Sequence, residues 1–199
     1  MKLVILDRDG TINEDSDDYI KSPEEWRPIK GSLEAIARLT QADYRIVVAT
    51  NQSGIARGLF DTRTLFAIHD TLLRALALHG GRIDAFFFCP HAADAGCPCR
   101  KPQPGMLLEV ARRFNVALDD VCMVGDAQRD LEAAAAAGAR PVLVLTGKGT
   151  MTRDEGRLPP GTLGTRFVNV GGLVAAVDHG KNHNRDGALR GLIEHLRPD

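Results

Sequence analysis

Two aspartates, Asp7 and Asp9, stand two residues apart in Asp7-Arg8-Asp9-Gly10-Thr11-Ile12-Asn13, directly after the apolar run Leu3–Leu6. A carboxylate is a modest nucleophile, but it attacks phosphorus when a cation neutralises the phosphate and a proton reaches the leaving oxygen. In an extended segment both side chains project to one side, so Asp7 is placed to attack and Asp9 to supply or remove the proton. Thr50 and the amides of Asn51-Gln52-Ser53-Gly54 offer hydrogen bonds to a transferring phosphoryl group, and Lys101 offers balancing charge. Magnesium prefers a few hard oxygens plus water and phosphate, which Asp7, the Asp9 backbone carbonyl and Asp126 supply. Each feature alone is weak, since paired acids on loops are usually solvated and Thr-Asn or Gly-Asp pairs are ordinary turn chemistry. Their order along successive strand ends, acid, hydroxyl, lysine, acid, is what points to phosphoryl transfer.

A second constellation reads Cys89-Pro90-His91, five residues, then Cys97-Pro98-Cys99. Three thiolates and one imidazole suit tetrahedral zinc with no position left for a catalytic water, so the expected zinc is structural. It would pin a loop leading directly into Arg100 and Lys101. Asp130 lies one helical turn beyond Asp126, where it either supports the magnesium site or is a solvated helix acid. The acidic run Glu14, Asp15, Asp17, Asp18 and the cation Arg57 are candidate substrate neighbours or surface charges. Cys122 is read as packing. His69, His79, His179, His183 and His195 show no metal spacing and are read as surface or helix residues.

The elements that must position these groups follow from hydrophobic periodicity. Short apolar runs at Leu3–Leu6, Ile46–Ala49, Ala85–Phe88, Val121–Val124 and Val142–Leu145 alternate with helical patterns near 32–42, 62–79, 104–115 and 128–137. Such alternation predicts a Rossmann-like, three-layer α/β/α fold with a mainly parallel sheet, whose ligands bind beyond the carboxyl ends of the strands. Leu65, Ile68, Leu72, Leu73, Leu76 and Ala77 form one helical stripe, and Gly138 reads as a helix C-cap. A loop is expected over 148–164, then a short strand at 167–170, a helix near 173–177 and a tail from 179 to 199, which makes 1–178 a single domain. With 25 basic and 26 acidic side chains, no global field draws the chain to nucleic acid or membrane, and a small phosphorylated molecule is the expected partner. No stretch approaches a bilayer span, so a cytoplasmic location is expected, and with no obvious assembly segment a monomer.

Asp7-x-Asp9-Gly10-Thr11, Thr50-Asn51, Lys101-Pro102 and Gly125-Asp126 resemble the four ordered motifs of the haloacid dehalogenase superfamily. Within it, Asp7 to Asn13, Thr50 to Gly58, the cysteine loop and Arg100-Lys101-Pro102 resemble the D-glycero-D-manno-heptose 1,7-bisphosphate 7-phosphatases, whose close relatives are histidinol-phosphate phosphatases. The resemblance implies that Asp7 is the nucleophile, Asp9 the acid and base, and Thr50 and Lys101 stabilisers of the phosphoryl group. It also implies substrate contacts from Asn51, Gln52, Ser53, Arg57 and Arg100, and magnesium on Asp7, Asp9 and Asp126. The five-residue gap between His91 and Cys97 looks like the histidinol-phosphate branch, whereas Ser53 to Gly58 and Pro104-Gly105-Met106 look like the heptose branch. No sizeable insertion follows either of the first two motifs, which leaves a minimal cap and an open site. A catalytically silent, zinc-stabilised interaction domain is the alternative of a different class, and it leaves Asp7, Asp9, Lys101 and Asp126 without a purpose.

Overall fold

The computed structural model describes residues 1–163, so the expected elements at 167–170, 173–177 and 179–199 lie outside the described residues. Strands β1 (Lys2–Leu6), β2 (Tyr44–Asn51), β3 (Ala85–Cys89), β4 (Cys122–Gly125) and β5 (Arg140–Leu143) form one sheet in the order β3-β2-β1-β4-β5. All pairings are parallel, with Leu6 opposite Val48 on one side and Val124 on the other. The chain winds outward from β1 through β2 to β3 and then crosses to β4. Between β1 and β4 the winding direction reverses, which opens a crevice at the strands' carboxyl ends.

Alternation along the strands sorts the core into two layers. Val4, Leu6, Ile46 and Val48 pack with α1 (Ser32–Gln41) and α2 (Thr62–Ala77) through Ile36, Leu39, Ile68 and Leu72. Leu3, Ile5, Val47 and Met123 face α3 (Gly105–Phe114) and α4 (Gln128–Ala137) through Leu107, Val110, Ala133 and Ala134. Strands β1, β2, β4 and β5 are largely buried on both faces, as a parallel sheet covered by helices requires, whereas Ala85–Phe88 of the edge strand β3 are half-buried. Cys122 is buried in the first of these layers, in keeping with a packing role.

Helix α2 begins where the Asp61 carboxylate accepts the Thr64 amide at 2.7 Å, satisfying one of the first-turn N–H groups. Its buried stripe is Leu65, Ile68, Leu72 and Leu76; Leu73 is only half-buried and Ala77 is exposed, so the stripe is narrower than the periodicity predicts. His69 corrects the expectation further. It is buried, its ring lying 4.1 Å from that of Phe86 and nearly parallel to it. Helix α4 ends at Gly138, whose φ of 77° is the left-handed conformation expected of a glycine C-cap.

Residues 148–164 are not loop throughout, because α5 (Gly149–Asp154) follows Lys148. So short a helix has little intrinsic stability. Tertiary contact holds it, through the Thr152 hydroxyl donating to the Asp126 carbonyl at 2.8 Å. Between β1 and α1 the chain carries a single 3-10 turn, Pro23–Glu25, and between β2 and α2 no helix or strand, in keeping with a minimal cap.

Leu72 is fully buried between α1 and the sheet. Leu72→Ala should lower unfolding stability by about 2–5 kcal/mol, from lost burial plus the cavity left behind. Urea unfolding should show a lower midpoint at an unchanged slope.

Candidate active site

The end of β1 delivers Asp7 into the crevice, with only 2% of its surface exposed. Its Oδ1 accepts two hydrogen bonds, from the Arg8 backbone N–H at 2.7 Å and from Lys101 Nζ at 2.9 Å. No donor among the described residues engages Oδ2, which leaves that oxygen for attack. Lys101 Nζ also meets Asp130 Oδ1 at 2.6 Å and donates to the Ala49 carbonyl at 2.7 Å. This buried ammonium therefore stands between two buried carboxylates. Asp130 and Asp7 hold its charge on, against the effect of burial.

Asp9 turns to a different set of partners. Its carboxylate accepts from Arg8 Nε at 2.9 Å, Arg8 Nη2 at 3.0 Å, Asn13 Nδ2 at 2.9 Å and Gln52 Nε2 at 2.9 Å. Burial would raise its pKa, but the Arg8 charge and these donors outweigh burial and hold the carboxyl below its usual range. Asp9 thus rests as a carboxylate. Arg8 is itself fully buried, with Nη1 3.4 Å from His69 Nε2.

Asp126 follows β4 and is fully buried. Its Oδ2 accepts the Lys148 amide at 2.7 Å, while Oδ1 is buried with no hydrogen-bond partner. Burial, then Asp130 and Asp7, push Asp126 up to about 8; burial and Asp130 push Asp7 up to about 6 against the pull of Lys101. Asp7, Asp126 and Asp130 each bring an oxygen within 4.8 Å of the others. Crowded carboxylates and an orphaned lone pair fit a hard divalent cation such as magnesium, which would relieve their repulsion. Asp130 is already held by Lys101 and by the Ala127 amide at 3.1 Å, so it fixes Lys101 in addition to adding charge to the cluster. The Asp9 side chain lies outside this trio, leaving its backbone carbonyl for a metal. Gly10 has φ 78°, and a Cβ there would run into the Asp126 carboxylate, so only glycine allows the approach.

Of these groups, Asp7 and Asp9 line a cavity of about 180 Å³ with Asp15, Ser16, Asp17, Tyr19, Thr50, Asn51, Gln52, Ser53, Arg100, Arg129 and Lys148. The predicted substrate residues divide by what already holds them. Asn51 exchanges hydrogen bonds with the Lys101 backbone at 2.9 and 3.1 Å, which staples the end of β2 to the lysine. Gln52 donates to both Thr50 Oγ1 and Asp9, each at 2.9 Å. Ser53 and Arg100 remain facing the cavity. Arg57 does not line it, its guanidinium lying 5.9 Å from the centre of the Tyr19 ring. Asp15 and Asp17 pair with Lys148 Nζ at 3.4 and 3.2 Å, and of the acidic run these two line the cavity.

Beside the cavity, Cys89, His91, Cys97 and Cys99 converge, and no disulfide links them. Sulfur separations are 3.6 Å for Cys89–Cys97 and 3.5 Å for Cys97–Cys99; His91 Nδ1 lies 3.5 Å from Cys89 and 3.3 Å from Cys99. Two sulfurs about 2.3 Å from a tetrahedral centre stand about 3.8 Å apart, so the cluster fits zinc with little adjustment. Its loop is tied to the turn after β2 by the Gln52 amide donating to the Cys89 carbonyl at 2.7 Å.

Arg8, His69, Arg129 and Lys148 carry charge or contacts at this site, and none was singled out from sequence. Arg8 lies inside the Asp7–Asp9 motif, and its position between two acids was the one available signal. The other three reach the site from α2, α4 and the segment before α5, and their spacing in sequence announces nothing.

A buried aspartate at the end of β1 beside a buried lysine, with a second carboxylate across the switch point of a parallel sheet, fits a haloacid dehalogenase-type phosphoric monoester hydrolase. A family model described as HAD-hydrolase-like matches residues 98–163. The heptose bisphosphate phosphatase of Bordetella bronchiseptica is 62% identical over 162 residues, covering 81% of this chain and 90% of that protein. That of Pseudomonas aeruginosa is 54% identical over 161 residues, covering 81% of this chain and 90% of its own length. The crystal structure of D,D-heptose 1,7-bisphosphate phosphatase from B. bronchiseptica, complexed with magnesium and phosphate, superposes with a TM-score of 0.86. It is 58% identical and covers 88% of this chain and 97% of that one. The Burkholderia thailandensis structure of the same enzyme gives a TM-score of 0.70 at 49% identity, over 88% of this chain and 97% of that one. The chain belongs to the D-glycero-beta-D-manno-heptose-1,7-bisphosphate 7-phosphatase family.

His69 carries a pH prediction. Burial, then the Arg8 charge, push its imidazole down from 6.5 to about 3. Between those values the unfolded chain binds a proton that the folded chain does not, so stability is lost as pH falls below 6.5. His69→Gln removes up to one proton of this dependence, about 1.4 kcal/mol per pH unit at most. Urea unfolding at pH 7 and pH 4.5 should show a smaller loss for the variant than for the wild type, whereas equal losses would mean that the folded imidazole is already charged.

Proposed function

We propose that this protein hydrolyses the C7 phosphate of D-glycero-β-D-manno-heptose 1,7-bisphosphate through a phosphoryl group carried on Asp7. The observation that carries the reading is the pairing of Asp7 with buried Lys101, in a chain 62% identical to a phosphatase of that name. In the first half-reaction Asp7 Oδ2 bonds to phosphorus, the phosphorus–O7 bond breaks, and Asp9 gives O7 its proton. Asp9 rests as a carboxylate, and the charge of an entering phosphate raises its affinity for that proton. In the second half, Asp9 takes a proton from water as the water oxygen bonds to phosphorus, and the Asp7–phosphorus bond breaks to release phosphate. Thr50 and the amides after it receive the phosphoryl oxygens, and Lys101 balances the charge on Asp7. Magnesium on Asp7, the Asp9 carbonyl and Asp126 would neutralise phosphate charge as it develops.

The proposal includes a structural zinc on Cys89, His91, Cys97 and Cys99, which would hold the loop that presents Arg100. It also takes the protein as a cytoplasmic monomer contributing to nucleotide-activated heptose for lipopolysaccharide.

Phosphate release from the heptose bisphosphate, in both anomers, compared with histidinol phosphate at equal enzyme tests the substrate. Higher kcat/KM on the bisphosphate is expected, and preference for histidinol phosphate would overturn the assignment while leaving the chemistry. Asp7→Asn should lose turnover by at least about 10⁴-fold with an unchanged fold, since it removes the attacking oxyanion; an active Asp7→Asn protein would sink the mechanism. For the zinc, elemental analysis of purified protein should give one equivalent per chain. Cys99→Ser should lose it and raise KM more than it lowers kcat; full zinc in that variant, or none in the wild type, would exclude the site.

A further inference from the structure

Most cations around the nucleophile are already matched to carboxylates. Arg8 is paired with Asp9, Lys101 with Asp7 and Asp130, and Lys148 with Asp15 and Asp17. Among the described residues, Arg100 and Arg129 have no such ion pair. Arg100 donates only to the His91 carbonyl, at 3.3 Å. Arg129 Nε is buried without any hydrogen-bond partner. Its guanidinium stays charged, as an arginine side chain does in proteins generally. An unspent, charged donor group facing a cavity is costly unless something arrives to take its hydrogen bonds.

The position of the two guanidiniums says where that something lies. Arg100 and Arg129 line the nucleophile cavity and also an adjoining cleft of about 630 Å³ that runs under the Cys/His loop past Cys97, Pro98 and Pro102. The first cavity holds Asp7, Asp9, Asp15 and Asp17, whereas no described acid lines the cleft; Gln103 lines it as well, and the Lys101 ammonium is turned away from it to Asp7 and Asp130. A single elongated molecule that puts one phosphate over Asp7 can therefore lead a second anionic group past these two arginines into a cationic space. Planar guanidinium donors match a phosphate's oxygens in a way that a point charge does not.

We propose that Arg129 is a specificity-determining residue that acts with Arg100 to hold the substrate's second phosphate, the one left in place, at the mouth of this cleft. The proposal rests on the bisphosphate reading above and extends it to a residue on α4. The competing role for Arg129 is as a counter-charge to the carboxylates of Asp7, Asp126 and Asp130, which would serve every substrate alike.

The test compares kcat/KM for the heptose 1,7-bisphosphate and for the corresponding 7-monophosphate, in wild type, Arg129→Gln and Arg129→Lys, with thermal melts as a check on folding. Wild type should favour the bisphosphate. Arg129→Gln should lower kcat/KM on it about 10- to 100-fold, mainly through KM, and shift the monophosphate value by less than about twofold. Arg129→Lys should recover part of the loss. An equal fall on both substrates would assign Arg129 to the carboxylate cluster and overturn the proposal, as would no change on either. Failure of the heptose reading looks different, because wild type would then turn over neither heptose ester. In that case, the ratio of bisphosphate to monophosphate activity on whichever sugar phosphate it does hydrolyse still decides: a ratio lowered by Arg129→Gln supports the proposal, and an unchanged ratio overturns it.

Discussion

The Lys101 ammonium, sealed between Asp7 and Asp130, is the constraint on which the rest of the site depends. Three carboxylates cannot share a buried pocket unless cations offset their repulsion, and one fixed cation covers only part of the charge. The remainder explains the raised proton affinities of Asp7 and Asp126 and the orphaned oxygen of Asp126. A site built this way fits a divalent cation, whose charge would offset the remainder before an anionic phosphate enters.

Holding a buried lysine requires more than its two acids. The Lys101 backbone is stapled by Asn51 at the end of β2, and its ammonium also donates to Ala49. Asp130 is fixed in turn by the Ala127 amide at the start of α4. Three elements of the sheet-and-helix scaffold thereby converge on one side chain, which is why the strand order, with β1 between β2 and β4, matters to the chemistry. The second carboxylate of the leading motif is kept apart from this network. Arg8, Asn13 and Gln52 fix Asp9 as an anion, so that the two acids, two residues apart in sequence, experience opposite electrostatic environments. That separation suits the division of labour proposed above, in which one attacks and the other moves a proton.

The Cys/His cluster extends the same logic to the rim. It precedes Arg100 and Lys101 directly in the chain and is bonded through Cys89 to the turn that carries Gln52. A loop held here by zinc would order a cation that faces the cavity and a cation that is buried, with no cap domain among the described residues to close over them.

The sequence by itself determined the parallel sheet, the burial of both its faces, and the placement of Asp7, Thr50 and Asp126 at strand ends, because these depend on short-range periodicity and on where apolar runs stop. It also marked the four groups of the Cys/His cluster, since metal spacing is local. Only the tertiary structure decided which acids meet which bases. Asp130 read nearly as well as a solvated helix acid until Lys101, from the connection between β3 and α3, met it; His69 read as a surface or helix residue until Phe86 and Arg8 enclosed it. Lys148 and α5 were hidden in a Gly- and Pro-rich stretch because contacts to Asp126, Asp15 and Asp17 hold them, not local propensity. Charge pairing in a folded chain is a matter of distances between residues remote in sequence, and one-dimensional spacing does not encode those distances.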